Sequence, residues 1–426
     1  MFVRTLAALT SPTILRLVAL AGALGWLLAF PIALVQQTTL LNRPNQPFGG
    51  DFASFYTAGR LVPTGRGAEL YDLDVQQRTQ AEVLNTQAYT ALVAYVNPPV
   101  WAVVFAPLAA LPYKVAYVVC TAGLLAAFFA ALRVLRPHVP RLHDHWGVVV
   151  GLTWLLYPIC RTVTAGQNTC VTLLLLTLIY AALRGGRPLR VGLALGLLTY
   201  KPQFALLVGA LLLIQRQWRA VLVAGALGGV HYLLGAVVCG PAWPLELLRT
   251  LSGYNALENT YNGATSVALL GWHEYWLPQP WGRSLGWLAT AAIAGVVLWA
   301  HRTADRRRPE SALHWGLAVA ASVLVSPHTQ WYDVGLVVLP VLLALDYRLA
   351  VSGAVSAVAR VGLLAAFALF PLYEDAARVG HFQPLILAPL GVLLWLARLH
   401  VQAVRRVPCS VRSARASERP APLPGQ

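Results

Sequence analysis

LRVGLALGLLTYKPQFALLVGALLLI, residues 189–214, decides how this chain folds. These 26 residues are mostly apolar, with charge only at Arg190 near one end and at Lys201, followed by Pro202, in the middle. Arginines crowd both ends: Arg184, Arg187 and Arg190 before, Arg216 and Arg219 after. A run of this length is a candidate membrane span, since about 20 apolar residues cross a bilayer. A single span would strand Lys201 at mid-membrane, where a charge is costly. It would also put one arginine cluster on each side, although loop arginines collect on the cytoplasmic side. The residue before proline is biased away from helix. The stretch therefore predicts a tight helical hairpin, with Lys201 at its outer turn and both arginine clusters inside.

The same alternation runs along the whole chain. About twelve apolar runs occur: 14–35, 114–135, 146–163, 171–183, 189–199, 202–214, 220–238, 285–300, 313–325, 334–345, 361–372 and 384–399. Of the 426 residues, 58% are hydrophobic and 11% charged, and mean hydropathy is +0.61. A soluble domain carries about 25% charged residues, so too few remain to clothe a water-soluble globule. The net charge of +16 does not imply nucleic acid as a partner. Lysine occurs only at Lys114 and Lys201, and the arginines fall mainly in short loops beside apolar runs, the signature of membrane topology. The five cysteines form no CxxC pair and read as small core residues.

With both termini inside, every arginine-rich loop falls in the cytoplasm. The two long polar loops, 36–97 and 240–283, fall outside. Segment 98–111, bounded by prolines, is read as a dip or interfacial helix that returns to the outer face. The fold expected is all-α, a polytopic transmembrane bundle of about twelve spans forming one domain over residues 1–408. Residues 409–426 are expected to be a disordered cytoplasmic tail.

Polar residues gather on the expected outer face. Asp51 follows a glycine pair and precedes Phe52, Phe55, Tyr56 and Gly59 at helical spacing, which suits a helix lying on the membrane. Asp51 reads either as that helix's N-cap or as a general base for an acceptor hydroxyl. Lys201 reads as a snorkelling side chain or as a ligand for a lipid phosphate. Gln167 and Asn168 read sugar hydroxyls or cap the following helix, capping being the commoner role for Asn168. His328 is a structural histidine or an acid, base or phosphate contact. Further outer polar groups are Asn255, Asn259, Asn262, Ser266, Trp331-Tyr332-Asp333 and Glu374-Asp375. No HExxH, cysteine pair or Walker motif occurs, so no metal-ligand set stands out, a metal requirement is left open by the residues, and ATP-driven chemistry has no support.

Asp51-Phe52-Ala53-Ser54-Phe55-Tyr56-Thr57-Ala58-Gly59-Arg60, then Leu70-Tyr71-Asp72, then Asn97-Pro98-Pro99 and Leu111-Pro112 form an ordered set. Gly166-Gln167-Asn168, Lys201-Pro202 and Ser326-Pro327 continue it. This set resembles glycosyltransferase family 87, whose members resemble other multi-spanning GT-C transferases. The resemblance implies a polyprenyl-phosphate sugar as donor, mannose by default, and Asp51 as base. It implies that Lys201 and His328, with Arg161 nearby, meet the donor phosphate. Tyr56, Arg60, Asn97, Gln167 and Asn168 become expected substrate contacts. Family members often read Tyr-Pro-Pro where this chain has Asn97-Pro98-Pro99, and Trp-x-His where it has His328-Thr329-Gln330-Trp331.

The expected function is inverting hexosyl transfer to a lipid or glycan acceptor at the outer leaflet of the cell's inner or plasma membrane. No cofactor is expected, because the polyprenyl-phosphate sugar is itself the activated substrate. The expected partners are membrane lipid, that donor and the acceptor. The rival readings are a transporter or flippase of lipid-linked sugars, which would place polar groups near the midplane, and an inactive assembly partner.

Overall fold

A computed structural model describes residues 12–37, 39–43, 45–86, 89–262, 266–302, 310–354 and 384–405. The Glu374-Asp375 pair, the run 361–372 and the tail beyond 405 lie outside them, as do the side chains of Asn255, Asn259 and Asn262. The described chain is helical apart from a small antiparallel hairpin, β1 (Leu41–Arg43) with β2 (Gln46–Pro47).

In chain order the helices are α1 (Pro12–Gln36), α2 (Phe52–Leu61), α3 (Leu73–Val83), α4 (Pro99–Ala109), α5 (Tyr113–Leu135), α6 (Trp146–Trp154) and α7 (Tyr157–Thr164). Next come α8 (Thr169–Arg184), α9 (Pro188–Leu198), α10 (Pro202–Ile214), α11 (Trp218–Cys239) and α12 (Trp243–Asn262). The last are α13 (Leu269–Trp276), α14 (Trp281–His301), α15 (Ser311–Val325), α16 (Val338–Ser352) and α17 (Leu387–Arg405). A 3-10 turn, Trp331–Val337, leads into α16.

Among the described residues, five helices are long and apolar enough to cross a membrane: Thr13–Gln36, Tyr113–His138, Trp218–Cys239, Trp281–His301 and Trp331–Ser352. A sixth span arises if 140–154 and 157–164, bent by 57°, are counted together. The other described apolar runs form helices of 10–17 residues. Apolar side chains stand exposed along α1, α11 and α14, among them Leu28 (64%), Leu222 (71%) and Trp299 (70%). Such patches suit lipid, since soluble monomers rarely expose apolar area on this scale.

Proline sets many of the helix starts. Pro99, Pro158, Pro188 and Pro202 each stand in a first turn, where a missing N–H leaves no bond unmade. The break at Thr199–Lys201 separates α9 from α10, as the Lys-Pro pair predicts.

The first long polar loop departs from expectation. Nine of the ten residues of α2 are buried, Arg60 being the exception. The helix is therefore not laid on a membrane surface. Its aromatic face packs on α4, with Phe52 and Phe55 6.1 and 5.3 Å from Phe105. Gly59 allows this approach, because a Cβ there would lie 2.7 Å from the Phe105 carbonyl oxygen. Segment 98–111 becomes α4, eleven residues long and thus about 16 Å, half the hydrocarbon thickness.

Candidate active site

Asp51 sits where two glycine-bearing turns meet. Gly49 and Gly50 have φ of 81° and 56°, and Gly166 has φ of 69°. That is the left-handed region, which side chains with a Cβ disfavour. The Phe52 N–H donates to the Ala165 carbonyl at 2.9 Å, clamping the two turns together. A Cβ on Gly166 would lie 2.5 Å from the Phe52 Cβ, so only glycine fits that contact.

This clamp brings Gln167 to Asp51. Gln167 Nε2 donates to Asp51 Oδ2 at 2.7 Å across 116 residues of sequence. Asp51 occupies the N-cap position of α2 but makes no capping bond with its side chain, which corrects the N-cap reading. The residue is half-buried, and its carboxylate meets Gln167 instead of its own helix. Burial pushes its pKa above the ordinary carboxylate value. The Gln167 bond, Arg161 and His328 pull it back, and the Asp333 carboxylate adds to the rise.

Arg161 lies in the last turn of α7, and its guanidinium stands 5.2 Å from the centre of the Trp331 ring, a cation–π distance. Trp331 and His328 come from the segment after α15, which is tied down by its neighbours. Val267 N–H donates to the Thr329 carbonyl at 3.0 Å, and Ser266 pairs with Gln330. The end of the second long polar loop is thus joined to the segment that carries His328 and Trp331.

Lys201 is buried and faces a carboxylate. Its Nζ donates to Asp333 Oδ1 at 2.9 Å, and Thr169 Oγ1 donates to the same oxygen at 2.9 Å. Lys201 is thus held by Asp333 inside the protein, and its burial corrects the snorkelling reading. Asn168 is buried at the N-cap position of α8 without a side-chain capping bond. Neither its Oδ1 nor its Nδ2 has a hydrogen-bond partner, which corrects the capping role. The other expected contacts scatter. Tyr56 is buried, and its hydroxyl donates to the Leu111 carbonyl at 2.7 Å. Arg60 is exposed at the far end of α2, about 13 Å from Asp51 by helical rise. Asn97 is partly exposed, and its carbonyl accepts from Tyr71 Oη at 2.9 Å.

The structure thus joins Asp51, Gln167, Arg161 and His328 in one electrostatic neighbourhood. Trp331, named from sequence with Tyr332 and Asp333 in the outer polar set but given no role, joins them beside Arg161. Its nearness to Ser326-Pro327-His328 was the one available signal.

No curated protein and no solved structure matches the chain. The family model described as glycosyltransferase family 87 matches residues 95–327. That stretch holds Asn97, Arg161, Gln167, Asn168 and Lys201, while Asp51 precedes it and His328 adjoins its end. With more than half of the 426 residues matched, the chain belongs to glycosyltransferase family 87.

Proposed function

We propose that this membrane glycosyltransferase moves a hexose from a polyprenyl-phosphate donor to a lipid or glycan acceptor at the outer leaflet, with inversion. The observation that carries the reading is the Asp51–Gln167 contact, 2.7 Å long and partly exposed. Gln167 occupies one carboxylate oxygen and favours the ionised form. The other oxygen is left to take the acceptor proton. A base works best with a pKa near the working pH, and burial moves Asp51 in that direction.

In the reaction, the acceptor oxygen bonds to the anomeric carbon as that carbon's bond to the phosphate oxygen breaks. Asp51 receives the hydroxyl proton, and polyprenyl phosphate leaves. Arg161 and His328 meet the charge growing on the phosphate, a large source of rate when the donors are held in place beforehand. Lys201, turned to Asp333, organises this region from within instead of touching the donor. The orphaned amide of Asn168, next to Gln167, suits a sugar hydroxyl. Residues 1–408 serve as one catalytic unit in the cell membrane, with the site extracytoplasmic. Mannose is the first sugar to try.

The test is transfer from radiolabelled polyprenyl-phosphate hexoses to membrane lipid acceptors by wild type and Asp51→Asn at matched expression. The expected result is transfer by the wild type and a loss of about 10²-fold or more in the variant. Equal transfer by both would remove Asp51 as the base. Transfer by neither, across several donors and acceptors, would favour the flippase or assembly-partner reading.

A further inference from the structure

The arginine clusters that flank residues 189–214 do more than orient helices. α9 and α11 pack closely because Gly192 and Gly196 face α11. A Cβ on Gly192 would lie 2.5 Å from the Ala220 carbonyl oxygen, and one on Gly196 would lie 2.7 Å from Leu227 Cβ. This contact sets the turn before α9 beside the turn before α11. Between them lies an open, mostly apolar cleft of about 590 Å³, walled by Pro188, Leu189 and the carbon stems of Arg187, Arg190 and Arg219. The three arginines are exposed, as are Arg216 in the adjoining turn and Trp218, at 58%.

These charges have no counter-ion of their own. Among the described residues, no ion pair involves Arg187, Arg190, Arg216 or Arg219. The sequence holds no acidic residue between Asp144 and Glu246, so the helices building the cleft cannot supply one. Like charges held together repel, and an anion seated among them relieves that repulsion. The cleft also has an apolar side. Leu189 is 61% exposed at its edge, and Leu222 is 71% exposed one turn further along α11. Trp218 beside it has the amphipathic ring that settles at a membrane–water border.

We propose that this cleft seats the phosphodiester headgroup of an anionic phospholipid, with its acyl chains along the apolar face of α9 and α11. Basic pockets between membrane helices take such headgroups, and guanidinium groups grip phosphate in two-pronged fashion. The site is separate from Asp51. α8 begins after Gln167-Asn168 and ends at Arg184, sixteen residues later, about 24 Å away. The lipid therefore comes from the opposite leaflet and is not the donor.

Native mass spectrometry of the full chain in neutral detergent tests this, with phosphatidylglycerol and phosphatidylcholine as probes. Phosphatidylglycerol should be retained at least about tenfold better. The triple change Arg187→Gln, Arg190→Gln and Arg219→Gln should abolish that preference. An equal loss of charge elsewhere, at Arg133, Arg302 and Arg348, should leave it intact. No preference in the wild type, or equal loss in both triples, would overturn the proposal. Displacement of the lipid by inorganic phosphate alone would do so too, reducing the cleft to a simple anion site. Should the cleft triple not fold, a photoreactive phosphatidylglycerol on the wild type decides. Labelling within 184–222 supports the site, and labelling elsewhere refutes it.

Discussion

Lys201 and Asp333 form an ion pair sealed inside the protein, Nζ to Oδ1 at 2.9 Å, with side chains 6% and 3% exposed. Asp333 also receives the Thr169 hydroxyl, so one carboxylate ties the starts of α8 and α10 to the turn that leads into α16. Breaking such a pair leaves a bare buried charge, at a cost of about 3–5 kcal/mol, whereas apolar replacement of both partners is often neutral. Lys201→Met and Asp333→Leu should each destabilise strongly, and the double change much less. Unfolding of the three variants in detergent checks this. Full stability in Lys201→Met with a raised KM for donor would return Lys201 to the phosphate.

The pH dependence of transfer should report on Asp51. A general base works only when deprotonated, so activity rises as pH climbs through its pKa. Burial holds that pKa above the usual carboxylate value, while Gln167 and Arg161 lower it. Gln167→Leu removes a bond to the ionised form and should move the acidic limb of the kcat/KM profile to higher pH. Arg161→Gln should shift it the same way. A limb unmoved in both variants would take Asp51 out of the base role.

Tyr56→Phe separates a structural hydroxyl from a sugar contact. Tyr56 Oη donates to the Leu111 carbonyl at 2.7 Å, joining α2 to the start of α5. Deleting it should cost about 1 kcal/mol of stability and leave KM for donor and acceptor unchanged. A KM increase without loss of stability would restore Tyr56 to the substrate site.

What the sequence made legible follows from what lipid demands. A solvent without hydrogen bonds requires unbroken apolar runs, and those runs with their arginine borders are plain at residues 189–214. Among the described residues, five or six spans reach full length and the other apolar runs form helices of 10–17 residues, so run length alone does not separate a crossing helix from one packed among its neighbours. The spacing of Phe52, Phe55 and Tyr56 marked an apolar helix face correctly. It could not say whether lipid or α4 would cover that face, since both reward the same pattern. Lys201 was singled out rightly as too costly to lie free. Its partner stands 132 residues away, beyond anything local spacing reveals. The Asp51–Gln167 bond is hidden for the same reason, and the glycines that permit it show their role only through their left-handed φ.

Those glycines give the last prediction. Gly166→Ala places a Cβ 2.5 Å from Phe52 Cβ and forces alanine to hold φ of 69°. The backbone strain alone is about 1–2 kcal/mol. The clash must also push Phe52, and with it Asp51, away from the turn that carries Gln167. A displacement of about 1 Å at a reacting group lowers rates about 10²-fold, so transfer should fall far more than stability does. Gly186→Ala is the matched control. Its φ is 61°, nothing lies within 4 Å of the added Cβ, and it stands at the arginine end of α8. It should lose similar stability from strain and keep its transfer rate. Equal activity losses in the two variants would show that general destabilisation, and not the Asp51–Gln167 alignment, limits the reaction.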